Sequence, residues 1–117
     1  MRFNNPYWSV KTKMSVLQRW LIVHSILYYE LNDSVVSDKV FDANAHQLVD
    51  MQNKYTDIAG ETEYWYMFYD FDASTGFHLY DRIKEKDKKY LTHVAQHVLA
   101  LNRGGLHEAS NKSSNRK

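Results

Sequence analysis

The chain has 117 residues but no cysteine, one proline and four glycines. Without cysteine it cannot form a disulfide framework or a metal site built from thiolates. None of its apolar runs approaches the roughly 18 residues that a membrane-spanning helix requires. The N-terminal sequence MRFNNPYWSVKTK lacks the apolar centre of a signal peptide. These absences predict a cytoplasmic protein with no membrane contact.

An excess of either charge is also missing, because 15 Lys and Arg residues stand against 14 Asp and Glu residues. The net charge of +1 argues against nucleic-acid binding driven by charge and against mimicry of DNA. Aromatic residues are abundant instead, at 15% of the chain, while the hydrophobic content of 44% is ordinary for a globular protein. The length suits one domain with a modest core.

Apolar residues recur at helical spacing in the first half of the chain and predict two long helices. The first spans about residues 13–31, and the short polar side chains of residues 32–34 end it. The second begins after Ser37, a preferred N-cap residue, and runs to about Tyr55. Because the connection is short, the two helices are expected to form an antiparallel hairpin.

The second half of the chain is expected to break at Gly60 and to continue with an aromatic segment, residues 61–71. The alternating aromatics of this segment fit a strand, but a single strand has no partner, so we favour a short helix. Residues 77–83 are expected to add one helical turn. A third long helix is predicted over residues 87–103, ended by the two glycines that follow.

These elements predict an all-α domain over residues 13–105. In it, a long helical hairpin packs against the third long helix and the aromatic-rich middle segment. An irregular arm, residues 1–12, is expected to precede this domain. The polar tail, residues 106–117, is expected to be disordered.

The hairpin turn combines aromatic side chains with carboxylates in the sequence LYYELNDSVVSDKVFD. Asp38, Phe41 and Asp42 share one helix face because they are three and four residues apart. Tyr28 and Tyr29 end the preceding helix, across the turn. Aromatic faces beside paired carboxylates suit a ligand with a flat ring and hydroxyl groups. A purely structural role is the alternative, in which the acids favour the helix start and the rings pack the hairpin.

This stretch resembles the small N-terminal helical subdomain (Ia) of bacterial NAD-dependent DNA ligases. That subdomain typically carries a tyrosine pair or Tyr-His and, about nine residues later, Asp-x-x-Tyr-Asp. Tyr28 and Tyr29 match the aromatic pair, and Asp38 and Asp42 match the two acids. Phe41 departs from the family's tyrosine, so one hydroxyl is lost while the stacking face remains. The turn also lacks the proline that often occurs in this loop.

The resemblance implies a ligand, because in the ligases this subdomain recognises the nicotinamide mononucleotide (NMN) half of NAD. There the aromatic ring stacks on nicotinamide, while carboxylates accept hydrogen bonds from ribose hydroxyls or face the charged ring. The resemblance covers about residues 13–55, and the chain has neither a Lys-x-Asp-Gly motif nor room for an adenylation domain. It therefore implies a non-catalytic, stand-alone module of phage type that binds NMN or NAD and requires no cofactor.

A second hypothesis rests on the aromatic-acidic segment, residues 61–72, which has six aromatics within eight positions. Its acidic neighbours would repel phosphate, whereas aromatic residues are typical of protein interfaces. The segment therefore indicates a protein-binding inhibitor of a host enzyme or defence system, for example an anti-CRISPR. The alternative is that these aromatics cover the hairpin. The candidate contact residues are Tyr64, Trp65, Tyr66, Tyr69 and Asp70.

Two histidines on the third helix, His93 and His97, are four residues apart, as are Asp42 and His46 on the second helix. If these helices faced each other, the four side chains would suit zinc. The His-Glu-x-x-His pattern of metalloproteases is absent, however, and six histidines in the chain make such a pair common by chance. We therefore favour a solvated or partly buried pair and predict no metal site.

Overall fold

The computed structural model describes residues 7–31, 33, 35–74 and 79–110. Over these residues the chain is helical and contains no strand, which confirms the all-α prediction. A π-helical turn, Ile26–Glu30, directly continues the first helix, and a 3₁₀ turn, Tyr80–Arg82, precedes the last one. The α-helices are α1 (Val10–Ser25), α2 (Asp38–Lys54), α3 (Thr56–Ala59), α4 (Trp65–Phe68) and α5 (Glu85–Ser110).

Helix α1 begins three residues earlier than predicted because Ser9 caps it. The Ser9 hydroxyl oxygen accepts a hydrogen bond from the backbone N–H of Thr12 at 3.1 Å. The end of the expected irregular arm, residues 10–12, is therefore helical, while residues 1–6 lie outside the described residues. At the other end, the N–H of Leu31 donates to the carbonyl of Ile26 at 3.0 Å, a five-residue bond that defines the π turn.

Helix α2 forms the second arm of the hairpin with the start that the sequence predicts. Ser37 is its N-cap, and its hydroxyl oxygen accepts from the backbone N–H of Val40 at 3.2 Å. The rings of Trp20, late in α1, and Phe41, early in α2, are 6.0 Å apart, and α3, which follows the end of α2, contacts α1. The two helices therefore run antiparallel, as predicted.

Helix α1 is the centre of the core, because α2, α3 and α5 all pack against it. Its buried Gln18 also holds the middle segment in place. The Nε2 of Gln18 donates to the Thr62 hydroxyl at 2.7 Å, and its Oε1 accepts from the backbone N–H of Tyr64 at 3.3 Å. From α2, Nε2 of Gln52 donates to the carbonyl of Phe68 at 3.1 Å. Two buried amides therefore tie the segment to the hairpin.

Helix α5 packs on α1 and on the π turn. The prediction that it ends before Gly104 and Gly105 is wrong, since the helix continues through both to Ser110. Glycine costs about 1 kcal/mol relative to alanine within a helix, but it retains its backbone N–H and need not end the element. Residues 106–110 of the expected tail are thus helical, and residues 111–117 lie outside the described residues.

The helical turn predicted over residues 77–83 is present as the 3₁₀ turn, Tyr80–Arg82. Residues 75–78 lie outside the described residues, and so do Asn32 and Ser34 of the hairpin turn. The middle segment contains the short helix α4, in agreement with the preferred prediction. No helix in the described ranges has both the length and the apolar character needed to cross a membrane.

Candidate functional site

A cavity of about 260 Å³ lies where the end of α1, the π turn, the start of α2 and the loop after α4 meet. All five residues that the sequence predicts as a ligand site line this cavity. They come from two helices on opposite sides of the hairpin turn, and the fold brings them together as the hairpin model requires. They are Tyr28, Tyr29, Asp38, Phe41 and Asp42.

The π turn presents the tyrosine pair at the mouth of the cavity. A π-helical turn holds more residues than an α-helical one, so it changes the angular positions of the side chains on it. Tyr28 and Tyr29 are about half exposed, at 49% and 47%, and their rings meet edge to face with centroids 4.7 Å apart. The helical pattern of the sequence did not indicate this widened turn. Such turns are frequent at functional sites.

The first turns of α2 supply the negative charge of the site. Because Ser37 caps the helix, Asp38 lies in its first turn, and Asp42 follows on the same face. Both carboxylates are exposed. Among the described residues that line the cavity there is no Lys or Arg, so the two charges are not neutralised within its walls. Within the cavity these charges favour a cationic or neutral group over an anionic one.

His24 forms part of the inner wall, one helical turn before Tyr28. Only 8% of this residue is exposed, and its imidazole lies against the indole of Trp20 with ring centroids 4.3 Å apart. Burial lowers the pKa of His24 from 6.5 to about 4, so the ring is neutral at pH 7. Its Nδ1 is buried and has no hydrogen-bond partner.

The sequence pattern places His24 within the first predicted helix but does not mark it as a site residue. The signal that could have identified it is a polar, titratable side chain four residues before Tyr28, on the face that the hairpin buries. The burial itself involves the Trp20 ring, which also lies 6.0 Å from the Phe41 ring on the other helix. The local pattern alone does not reveal it.

The third wall comes from the loop after α4, which is distant in sequence from the hairpin. Phe71, Ala73 and Leu79 are buried and line the cavity. Phe71 packs edge to face on Phe68, with centroids 5.1 Å apart, and Ala73 adopts a left-handed backbone with φ of 66°. The carboxylate of Asp72 accepts from the Ser74 N–H at 2.9 Å. The described residues of this loop therefore form one side of the cavity.

Of the six aromatics in the aromatic-acidic segment, three are buried, two are half-buried and one is exposed. Tyr64, predicted as a contact residue, is not accessible to a partner in this structure: only 2% of it is exposed, and its backbone N–H donates to Gln18. Phe68 and Phe71 are buried with it. These three residues therefore cover the hairpin, as in the alternative stated in the sequence analysis.

The other predicted contact residues of this segment are more accessible. Trp65 and Tyr66 are half-buried, and the Tyr66 hydroxyl donates to Asp87 on α5 at 2.8 Å. Tyr69 is 61% exposed, with the Arg82 guanidinium 5.7 Å from its ring centroid. Asp70 accepts two hydrogen bonds from Arg82, at 2.6 and 3.1 Å. Tyr69 is therefore the most accessible aromatic of the predicted set.

The histidines that suggested zinc are not brought together. His93 and His97 lie exposed on α5, which packs on α1 and the π turn, and His46 is exposed on α2. Within the described part of the chain, no group of three or more His, Asp or Glu side chains could hold a metal ion.

Comparison of the chain with protein-family models, with curated proteins and with solved structures finds no match. The resemblance to the ligase subdomain therefore rests on the residues at the hairpin turn and their spacing.

Proposed function

We propose that the cavity binds a nicotinamide nucleotide, NMN or NAD, and that the protein is a non-catalytic, phage-type module for this ligand. One observation carries the proposal. The five residues selected by their spacing, across a turn between two helices, share the walls of a single cavity. A structural role for the same residues requires packing but does not require an open space between them.

The chemistry of the walls supports this ligand class. The nicotinamide ring of NMN and of oxidised NAD carries a positive charge, and aromatic faces attract such a ring with about 0.5 to 2 kcal/mol. Tyr28 and Phe41 offer such faces, and Asp42 offers an exposed carboxylate for the ring charge or a ribose hydroxyl. Hydrogen bonds between hydroxyls and a charged acceptor are stronger than neutral ones.

The size of the cavity limits how much of the ligand it holds. At about 260 Å³ it is slightly smaller than the roughly 300 to 1,000 Å³ of most small-molecule sites. It suits the nicotinamide and ribose groups, with the phosphate outside the cavity in solvent. The adenylate half of NAD would then remain outside. We therefore expect NMN and NAD to bind with similar affinities and AMP not to bind.

Isothermal titration calorimetry with NMN, NAD and AMP tests the proposal. Asp42→Asn should weaken NMN binding by about tenfold or more, since it replaces a charged acceptor by a neutral one. Asp50→Asn is the matched control, because Asp50 is an exposed aspartate on the same helix but lies outside the cavity. Absence of heat with millimolar NMN, while circular dichroism shows a folded helical protein, would overturn the proposal.

The proposal also includes the predicted cytoplasmic location and the predicted absence of catalysis. The ligase-like residues lie on the hairpin, and the sequence contains no Lys-x-Asp-Gly motif. Incubation of the protein with NAD, followed by chromatography of the nucleotides, should return NAD unchanged. Release of nicotinamide, NMN or AMP would contradict this part of the proposal.

A second candidate function is a protein-binding inhibitor, for example an anti-CRISPR, acting through the exposed end of the aromatic-acidic segment. The observation that favours it is Tyr69, which is exposed beside Arg82. Tyrosine and arginine are enriched among the residues that dominate protein interfaces. Capture from a host lysate with the wild-type protein and with Tyr69→Ala tests this candidate. Tyr90→Ala is the control, since Tyr90 is exposed to a similar extent, at 52%, on α5.

A further inference from the structure

The inner wall of the cavity contains one buried polar ring. His24 lies there, one helical turn before Tyr28, while the two carboxylates, Asp38 and Asp42, are exposed. The Nδ1 atom of His24 is buried without a hydrogen-bond partner. A buried polar atom without a partner is unfavourable, and a ligand that satisfies it gains affinity.

The Trp20 indole holds this imidazole in place from the side of the core. The torsion about χ2 of histidine is broad and nearly two-fold, so two orientations of the ring, which exchange Nδ1 with Cδ2, fit the same space. His24 can therefore form a hydrogen bond with a group that reaches the inner wall. His24 is therefore a candidate for recognising one end of the ligand.

From this arrangement we infer that His24 is a specificity-determining residue that selects a carboxamide over a carboxylate on the ligand's ring. This inference rests on the proposed function, since it assumes that a pyridine nucleotide enters the cavity. The carboxamide of nicotinamide contacts His24 at the inner wall, and the ribose hydroxyls face Asp38 and Asp42 at the mouth.

The hydrogen-bonding capacity of the ring supports this selection. Burial lowers the pKa of His24 to about 4, so at pH 7 its neutral imidazole has one donor nitrogen and one acceptor nitrogen. A carboxamide has both a donor and an acceptor and pairs with either nitrogen. A carboxylate only accepts, so it cannot pair with the acceptor nitrogen, and it gains no ion pair from a neutral ring. The cavity therefore disfavours nicotinic acid nucleotides.

The test measures three ligands by calorimetry at pH 7: NMN, nicotinic acid mononucleotide, and the pyridinium mononucleotide that lacks the carboxamide. The wild-type protein should bind NMN at least about five- to tenfold more tightly than either of the others. His24→Phe should reduce NMN affinity by the same factor and leave the affinity of the unsubstituted nucleotide unchanged. The interaction between His24 and the carboxamide would then account for the whole preference of the wild-type protein for NMN.

The outcomes separate the two proposals. If no pyridine nucleotide binds the wild-type protein, the proposed function itself fails. If NMN binds but His24→Phe retains the wild-type preference for the carboxamide, the inference about His24 is overturned. Should His24→Phe fail to fold, the wild-type comparison decides, because equal affinities for NMN and the unsubstituted nucleotide would also overturn it. The amide of His24→Gln also offers a hydrogen-bond donor and an acceptor, so this variant should keep part of the preference for the carboxamide.

Discussion

The indole of Trp20 packs against the imidazole of His24, one turn further along α1, with ring centroids 4.3 Å apart and planes tilted by 43°. Both residues are more than nine-tenths buried. Trp20 also approaches Phe41 on α2, so a single indole connects the inner wall of the cavity to the helix that carries its carboxylates. The packing of the core and the shape of the site therefore depend on the same ring.

Burial of His24 makes the stability of the protein depend on pH. Its pKa is about 4 in the folded state and near 6.5 when exposed, so between these values the unfolded chain binds more protons. Stability should therefore fall as the pH falls from about 6.5 to 4, by up to about 3 kcal/mol, and should show no further loss from this group below pH 4. Urea denaturation at several pH values measures this dependence.

His24→Phe is the control for the pH effect. It removes the titrating group and leaves an aromatic ring beside Trp20, so the free energy of unfolding should depend less on pH between 6.5 and 4. The exposed His46, His93 and His97 remain in both proteins and cancel in the comparison. If the free energy of unfolding depended on pH in the same way in the wild-type protein and in His24→Phe, this dependence could not be assigned to His24.

Phe41 is the position at which the hairpin departs from the ligase pattern, and its ring lines the cavity. Phe41→Tyr adds a hydroxyl at this wall. If the proposed ligand binds there, the added hydrogen bond should raise the affinity for NMN about two- to tenfold, as measured by calorimetry.

Phe41→Leu is the companion variant, since it removes the aromatic face and should lower the affinity. An unchanged affinity in both variants would show that the ligand does not contact residue 41.

Gln18 is the buried amide on which the position of the middle segment depends. Gln18→Leu removes its bonds to Thr62 and to the backbone N–H of Tyr64, and leaves that N–H buried without its partner. We expect a loss of about 2 to 4 kcal/mol in the free energy of unfolding.

Gln52→Leu is the matched comparison for Gln18→Leu. Gln52 makes one bond, to the carbonyl of Phe68, while its Oε1 already lacks a partner. The loss should therefore be smaller, about 1 kcal/mol or less. Equal losses in the two variants, measured by urea denaturation, would contradict the assigned role of the Gln18 network.

Gly60 ends α3 with an ordinary right-handed backbone, φ −64° and ψ −15°. A Cβ at this position would have its nearest neighbour, the carbonyl oxygen of Asp57, at 3.7 Å, an ordinary contact distance. Gly60→Ala should therefore stabilise the protein by about 0.4 to 1 kcal/mol, because it reduces the freedom of the unfolded chain. Thermal denaturation followed by circular dichroism measures the gain.

Gly60→Pro should have the opposite effect, because it removes the N–H that donates to the Thr56 carbonyl at 3.3 Å. A lower Tm for Gly60→Ala would show that glycine is required at residue 60 for a reason other than its backbone conformation.

Local chemistry in the sequence determined the hairpin. The Ser37 hydroxyl caps α2 as its residue type predicts, and the spacing of Asp38, Phe41 and Asp42 places them on one helix face. Turn residues and a helical apolar pattern are short-range signals, because they depend on neighbours a few residues away. For this reason the local sequence is sufficient to place the five residues of the candidate site around one turn.

The tertiary structure alone decided the remaining features. It buried Tyr64 behind Gln18 and packed the π turn under Tyr28 against α5. It also brought Phe71 across the hairpin as a third wall and enclosed His24 beside Trp20. These features depend on contacts between residues far apart in the chain. Packing therefore determined which aromatics became core and whether the hairpin retained an open cavity.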